Sequence, residues 1–429
     1  MNKIAVVGQG YVGLPLAVAF ARHFPVIGYD TNIKRVQEIQ SGYDRTQEVS
    51  KETLVGVMRI SDDTAHEKGY IITSDSERIA LANIYIITVP TPIDQFNAPD
   101  LSYLLAASKT VGEVLNKGDT VIYESTVYPG CTEEDCIPVL EKYSGLKLNK
   151  DFYVGYSPER LNPGDKIHTL ENVVKVTSGS TPEAAVFIDN LYRVIIKAGT
   201  YKAESIRVAE AAKVIENAQR DLNISFVNEL ALIFDKMGLE TSEVLNAAAT
   251  KYNFLKYKPG LVGGHCISVD PYYLTYKATK LGYVPEVILS GRRVNNKMGA
   301  FVASKTIKLM LQKGISVKGA KILILGFSFK ENCPDVRNTS VINIYKELLE
   351  YETQPAICDP WVDKKEVEDY YGVHLLDIER IYEDKYDAII AAVAHDCFKD
   401  LELQKLQSDN CVIFDCKSIW NKEVSDTRL

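Results

Sequence analysis

The sequence predicts an α/β protein: two doubly wound domains with parallel sheets, joined by a long central helix that belongs to a helical dimerisation domain. Three observations carry this. Apolar strand runs alternate with helical stretches from the first residues onward; one unbroken helical pattern fills the middle of the chain; and the strand-helix alternation restarts near residue 321. At 429 residues the chain exceeds the roughly 250–300 residues at which a single core stops growing. The expected division is 1–200, 201–314 and 315–429.

Ile4-Ala5-Val6-Val7 reads as the first strand, Gly8-Gln9-Gly10-Tyr11-Val12-Gly13 as a glycine turn, residues 14–24 as a helix and 26–30 as the next strand. Further buried strands are expected at 84–89, 120–124 and 153–157, with a helix over 101–116. Residues 204–238 hold no Gly or Pro before their end and repeat apolar residues every three or four positions. As a helix they would run about 50 Å, longer than one domain needs, so they read as a spine and a homodimer interface. Residues 257–273 are turn-rich. Strands then follow at 321–326, 356–359, 388–394 and 412–415, with helices at 340–351 and 364–371.

Composition narrows the function. The chain is 46% hydrophobic and 25% charged, which fits a folded globular protein. Its net charge of −8 argues against nucleic-acid or anionic-membrane surfaces, so any phosphate must be gripped locally. Eight cysteines without a CxxC pair, and a start that runs directly into a strand, fit a reducing cytoplasm. The six histidines are scattered, and no metal is expected.

The glycine turn carries the first chemistry. It follows a strand, opens a helix, and stands 22 positions ahead of Asp30 at the end of the next strand. Gly8 permits the turn, Gly10 lets the backbone approach a pyrophosphate, and Gly13 lets helix pack on strand. Asp30 would accept from ribose hydroxyls and repel a 2′-phosphate, which selects NAD. The second constellation is Gly263-Gly264-His265-Cys266, with Asp270 four residues beyond the cysteine. A thiolate there could attack a carbonyl carbon. The third is Lys213 and Asn217, four apart on one helix face, which could stabilise an oxyanion. Read alone, Cys266 could equally be a small buried residue, and the Lys-Asn pair a solvated stripe.

Taken together with Val89-Pro90-Thr91-Pro92, Glu124-Ser125-Thr126-Val127-Tyr128-Pro129-Gly130, Ser157-Pro158-Glu159-Arg160-Leu161-Asn162-Pro163-Gly164 and the stretches 210–229 and 326–340, these motifs cover nearly the whole chain. In that order they resemble the UDP-glucose/GDP-mannose dehydrogenase family. The segment Ile267-Ser268-Val269-Asp270, in place of a Pro-Lys-Asp tail, and Arg160-Leu161 after Glu159 look like the branch acting on UDP-N-acetylhexosamines. The resemblance implies two Rossmann-like domains and a four-electron oxidation of the sugar C6 by NAD for surface polysaccharide synthesis. It implies Cys266 as nucleophile, Lys213 and Asn217 as oxyanion donors, Asp270 as base or water-orienting group, and Thr126 and Glu159 as aids to the water. Cofactor contacts are implied for Gly8, Gly10, Tyr11, Val12, Gly13, Asp30, Arg35, Pro90, Thr91, Thr126 and Arg337. Substrate contacts are implied for Glu159, Arg160, Leu161, Lys213, Asn217, Gly263, Arg292 and Lys330. No motif reads the sugar epimer. A two-electron dehydrogenase, or an inactive NAD or nucleotide-sugar sensor, would keep the same fold, but a sensor has no use for a thiol nucleophile.

Overall fold

The computed structural model describes residues 2–59, 68–160, 167–264 and 266–429. The chain forms two compact units, Met1–Glu216 with Tyr272–Tyr283, and Asn217–Pro271 with Val284–Leu429.

The first unit holds one sheet of strands β1 (Ile4–Val7), β2 (Pro25–Tyr29), β3 (Gly69–Thr73), β4 (Ile84–Ile87), β5 (Thr120–Tyr123), β6 (Tyr153–Tyr156), β7 (Lys175–Gly179) and β8 (Thr200–Lys202), in the spatial order β3-β2-β1-β4-β5-β6-β7-β8. The first six follow the dinucleotide-fold order, with the reversal between β1 and β4. Every residue of β1, β4 and β5 is buried, as expected for parallel strands covered on both faces. Ile4, Val6, Ile84 and Ile86 pack there with Leu14, Ala17 and Phe20 of the helix Gly13–Ala21. The expectation of an all-parallel sheet fails at one place: β7 runs antiparallel to β6. Only two residue pairs form that ladder, Gly155 with Gly179 and Tyr156 with Ser178.

The second unit holds β9 (Lys321–Leu325), β10 (Gln354–Cys358), β11 (Leu375–Leu376), β12 (Tyr386–Ala391), β13 (Gln407–Asp415) and β14 (Thr427–Arg428), ordered β11-β10-β9-β12-β13-β14 and parallel throughout. This repeats the dinucleotide order. Ile322, Ile324, Ala388 and Ile390 lie in one core with Val302 and Met310 of the helix Glu286–Gln312.

The central helix spans Ile206–Met237, 32 residues and about 48 Å, close to its expected length. It contributes residues to both units. One boundary moves. Asp270, expected in a turn, opens the helix Asp270–Lys280. Pro271 costs nothing there, because the first amides of a helix have no partner within it.

Candidate active site

At the glycine turn the Gly8 amide donates to the Tyr29 carbonyl at 2.8 Å, and the Gln9 amide donates to Asp30 Oδ2 at 2.8 Å. Gly8 has φ +92°, a backbone that excludes most side chains. A Cβ at Gly13 would lie 1.8 Å from the Gly8 carbonyl oxygen, whereas one at Gly10 would meet nothing within 4 Å. Helix packing therefore requires Gly13, and open space lies over Gly10. Tyr11 and Val12 are half-buried at the start of the helix, whose positive dipole end favours an anion. Gln9 points inward: its Nε2 donates to the Val6 carbonyl at 2.7 Å and its Oε1 accepts from Tyr70 at 2.7 Å.

Arg35, expected to touch cofactor, is 4% exposed and braces the turn. Its Nε donates to the Gln9 carbonyl and its Nη2 to Asp44 Oδ1, both at 2.7 Å. Burial pushes the Asp44 carboxyl up, but Thr46 and Arg35 outweigh it and hold the group below its ordinary value. Arg35 Nη1 is buried with no hydrogen bond. It lies 3.7 Å from Glu38 Oε2 as an ion pair, and the open space over Gly10 and the half-exposed Asp30 carboxylate fit a dinucleotide that carries a ribose and a pyrophosphate.

At the carboxyl ends of β4 and β5, Thr91 Oγ1 donates to the Thr126 carbonyl at 2.7 Å, so these two expected cofactor residues meet. Tyr273 holds the same turn through the Thr91 carbonyl at 2.8 Å. Pro90 is exposed beside it. Beneath lies a group that sequence reasoning misses: Glu124 pairs with Lys175 at 2.7 Å and accepts from the Tyr192 hydroxyl, all three nearly inaccessible. Burial pushes Glu124 up, and Lys175 opposes that. Glu210 anchors the following turn, accepting from the amides of Gly130 at 2.5 Å and Thr132 at 2.9 Å. Burial raises its carboxyl to about 7 against those two donors. Lys213, 4% exposed, reaches Glu216 at 3.4 Å, and Arg160 holds the other oxygen of Glu216 at 2.5 Å. The Arg160 amide donates to Glu159 Oε1 at 2.5 Å. Leu161 and His265 lie outside the described residues.

In the second unit, Cys266 is half-buried and begins a turn in which the Asp270 amide donates to the Cys266 carbonyl at 2.8 Å. Asn217 Nδ2 donates to Asp270 Oδ2 at 2.5 Å, with both residues buried. One amide hydrogen of Asn217 remains for another acceptor. Burial pushes the Cys358 and Cys411 thiols up to about 12 and raises that of Cys416 as well. Asn228 fixes the entry to the cysteine turn, donating to the Gly260 carbonyl at 3.0 Å and accepting its amide at 2.8 Å.

The glycines before Cys266 permit a close approach, and the approaching groups are protein. A Cβ at Gly263 would lie 2.9 Å from the Asn338 carbonyl oxygen, and one at Gly264 2.8 Å from the Phe329 ring. Arg292, expected at the substrate, is 4% exposed and pairs with Asp221 at 2.6 Å and Asn296 at 2.5 Å between two helices. Arg337 chelates Asp335 through Nε at 2.9 Å and Nη2 at 2.5 Å. Lys330 is half-buried, and its ammonium makes no hydrogen bond or ion pair among the described residues. No cluster of His, Cys, Asp and Glu among those residues could hold a metal, and no helix among them is long and apolar enough to cross a membrane.

Comparison with known proteins places this arrangement. Three domain models of the UDP-glucose/GDP-mannose dehydrogenase family match in order: the NAD binding domain over residues 2–196, the central domain over 207–297 and the UDP binding domain over 323–422. The chain is 54% identical to a UDP-N-acetyl-D-glucosamine 6-dehydrogenase of Salmonella typhi, covering 100% of this chain and 98% of that one. It is 53% identical to a protein of the same name from Pseudomonas aeruginosa, over 100% and 99% of the two chains. The solved structure of a UDP-D-ManNAc dehydrogenase from Pyrococcus horikoshii superposes with a TM-score of 0.87 at 30% identity, covering 99% of this chain and 98% of that one. With the dinucleotide turn, the two repeated sheets and the cysteine turn all in place, the chain belongs to the UDP-glucose/GDP-mannose dehydrogenase family and is an NAD-dependent nucleotide-sugar dehydrogenase.

Proposed function

We propose that the protein oxidises C6 of a UDP-N-acetylhexosamine, UDP-GlcNAc or UDP-GalNAc, to the uronic acid in two steps, with the sugar held on Cys266 between them. The observation that carries the reading is the half-buried thiol of Cys266 on a turn that ends at Asp270, itself bonded to Asn217. The names of the relatives from Salmonella typhi and Pseudomonas aeruginosa support the acetamido sugar.

NAD, held by the Gly8–Gly13 turn and Asp30 with Tyr11, Val12, Pro90, Thr91 and Thr126 around it, is the hydride acceptor when bound. The C6 alcohol loses one hydride to NAD and its hydroxyl proton to water, giving the aldehyde; Cys266, as thiolate, adds to it, a C–S bond forms and the carbonyl oxygen takes the negative charge. Asn217 offers that oxygen its remaining amide hydrogen, and Lys213 its ammonium. Loss of a second hydride from this adduct, to a second NAD, leaves a thioester. Water then adds at the carbonyl carbon, the C–S bond breaks, the thiolate is regenerated and the carboxylate departs. Asp270 takes the proton of that water or orients it, and Thr126 and Glu159 help to place it. Arg160, Gly263 and Lys330 hold the nucleotide sugar. Arg292, Arg35 and Arg337 act through the residues they pair with.

The reading includes a cytoplasmic homodimer that serves surface polysaccharide synthesis. Single-turnover assays of Cys266→Ser test the thiol: the first oxidation persists and the second is lost. Full formation of the uronic acid by that variant would contradict the covalent step.

A further inference from the structure

The two sheets repeat one crossing, and the second copy is filled. At the first, the Gly8 amide donates to the Tyr29 carbonyl and the Gln9 amide to Asp30, both at 2.8 Å. At the second, the Gly326 amide donates to the Cys358 carbonyl at 2.8 Å and the Phe327 amide to Asp359 Oδ2 at 2.7 Å. Gly8 and Gly326 have φ +92° and +91°. Asp30 is half-exposed, whereas Asp359 is 2% exposed. Its Oδ2 also accepts the Ser328 amide at 2.9 Å and lies 3.0 Å from His395 Nε2; its Oδ1 accepts the Trp361 amide at 2.9 Å. Buried in this way, the carboxylate is closed to a ribose.

His395 is fully buried, and its hydrogen bonds assign its tautomer. Nδ1 accepts the Asn332 amide at 2.9 Å, so the ring proton sits on Nε2 and goes to Asp359. Ser328 Oγ, 3.1 Å from Nε2, gives its own proton to the Lys330 carbonyl at 2.8 Å. Ser, His and Asp here have the residue types of a hydrolytic triad without its wiring. Serine and aspartate meet the same ring nitrogen, and the other nitrogen is spent on backbone. Burial pushes the Asp359 carboxyl up, but His395 and the two amides hold it below its ordinary value. Trp361 stacks over the imidazole at a centroid distance of 6.1 Å. Asn332, at φ +53°, ties the far end of the loop through Asp396, donating at 2.8 Å and accepting at 3.1 Å.

The Phe327 and Ser328 amides end on Asp359, and the Ser328 hydroxyl and the Asn332 amide meet His395, so these bonds fix residues 327–332; Lys330, whose ammonium makes no hydrogen bond or ion pair among the described residues, stands among them. We propose that His395 is a positioning residue for recognition of the nucleoside diphosphate: it occupies the place a ribose would take and rigidifies the loop that presents Lys330 to phosphate. The inference rests on Lys330 as a substrate contact. It makes the second unit a phosphate-reading site that takes no second dinucleotide.

The test is calorimetric titration of the full-length protein with UDP, together with steady-state kinetics. In His395→Ala the dissociation constant for UDP and the KM for the UDP-sugar rise roughly tenfold, as loss of one well-made buried hydrogen bond implies. The KM for NAD and kcat stay within about twofold, and added imidazole restores UDP binding by refilling the cavity. Ser328→Ala, which leaves no large void, shifts UDP binding the same way by a smaller factor and serves if His395→Ala does not fold. Lys330→Met separates the two claims. Weakened UDP binding in Lys330→Met with unchanged binding in His395→Ala and Ser328→Ala overturns the positioning role. Unchanged binding in Lys330→Met overturns the assignment of Lys330, and the proposal with it.

Discussion

Arg35 shows how a residue can serve a cofactor without facing it. Its planar fork spans the Gln9 carbonyl and Asp44, which lysine cannot do at once. Arg35→Lys should raise the KM for NAD roughly tenfold and leave the KM for the UDP-sugar unchanged; equal effects on both would refute the bracing role. Glu210 carries the pH dependence. Its folded carboxyl titrates near 7, above the unfolded value, so its contribution to stability is full at pH below the ordinary 4.5 and is lost as pH rises through 7. The neutral Glu210→Gln lacks that loss. Its melting temperature relative to the parent protein should climb between about pH 5 and pH 8, and a constant difference would contradict the raised carboxyl. Asp30 and the glycines are legible from sequence, since the dinucleotide spacing is local and each glycine answers to a backbone demand. The pairing of Arg35 with the Gln9 carbonyl is not, because no short-range pattern announces it.

At the scale of elements, strands with both faces buried and the uninterrupted central helix read directly from apolar periodicity. The antiparallel β7 and the helix beginning at Asp270 do not. A two-pair ladder has no periodic signature, and Asp270-Pro271 suits a turn as well as a helix start. The Glu124–Lys175–Tyr192 group escapes for another reason: its members lie on β7, on the helix Pro182–Arg193 and just after β5, far apart in the chain. Asp359 gives a fainter signal, a carboxylate at a strand end after a glycine-ended strand, and His395 gives none. A buried ion pair is weak evidence for stability but costly to break. Lys175→Met alone should cost about 3–5 kcal/mol in denaturant unfolding, by stranding the Glu124 charge. Adding Glu124→Leu should recover most of that loss, and a double variant no more stable than the single one would contradict the account.

Across the molecule, sequence alone shows the repeated α/β halves, the spine and the glycine fingerprint of the first half, yet not how the second crossing is closed. Asp30 and Asp359 both follow a strand and meet a glycine turn, but the three-glycine fingerprint stands only before Asp30, and burial against His395 and the Ser328 amide closes Asp359. The expected dimer has a surface to use: Phe226 on the central helix and Val284 and Val287 beside it are exposed by 57%, 60% and 71% around one groove of the second unit. Light scattering should give twice the 47.9 kDa chain mass, and Phe226→Glu should shift the protein toward single chains. An unchanged assembly in that variant would move the interface elsewhere. The central claim is a four-electron oxidation of a UDP-N-acetylhexosamine, and product stoichiometry tests it most directly. Purified protein given limiting UDP-GlcNAc or UDP-GalNAc with excess NAD should form two NADH and one carboxylic acid per sugar consumed, in preference to UDP-glucose and UDP-ManNAc. One NADH per sugar with an aldehyde or ketone product, or preferred turnover of UDP-glucose, would contradict it.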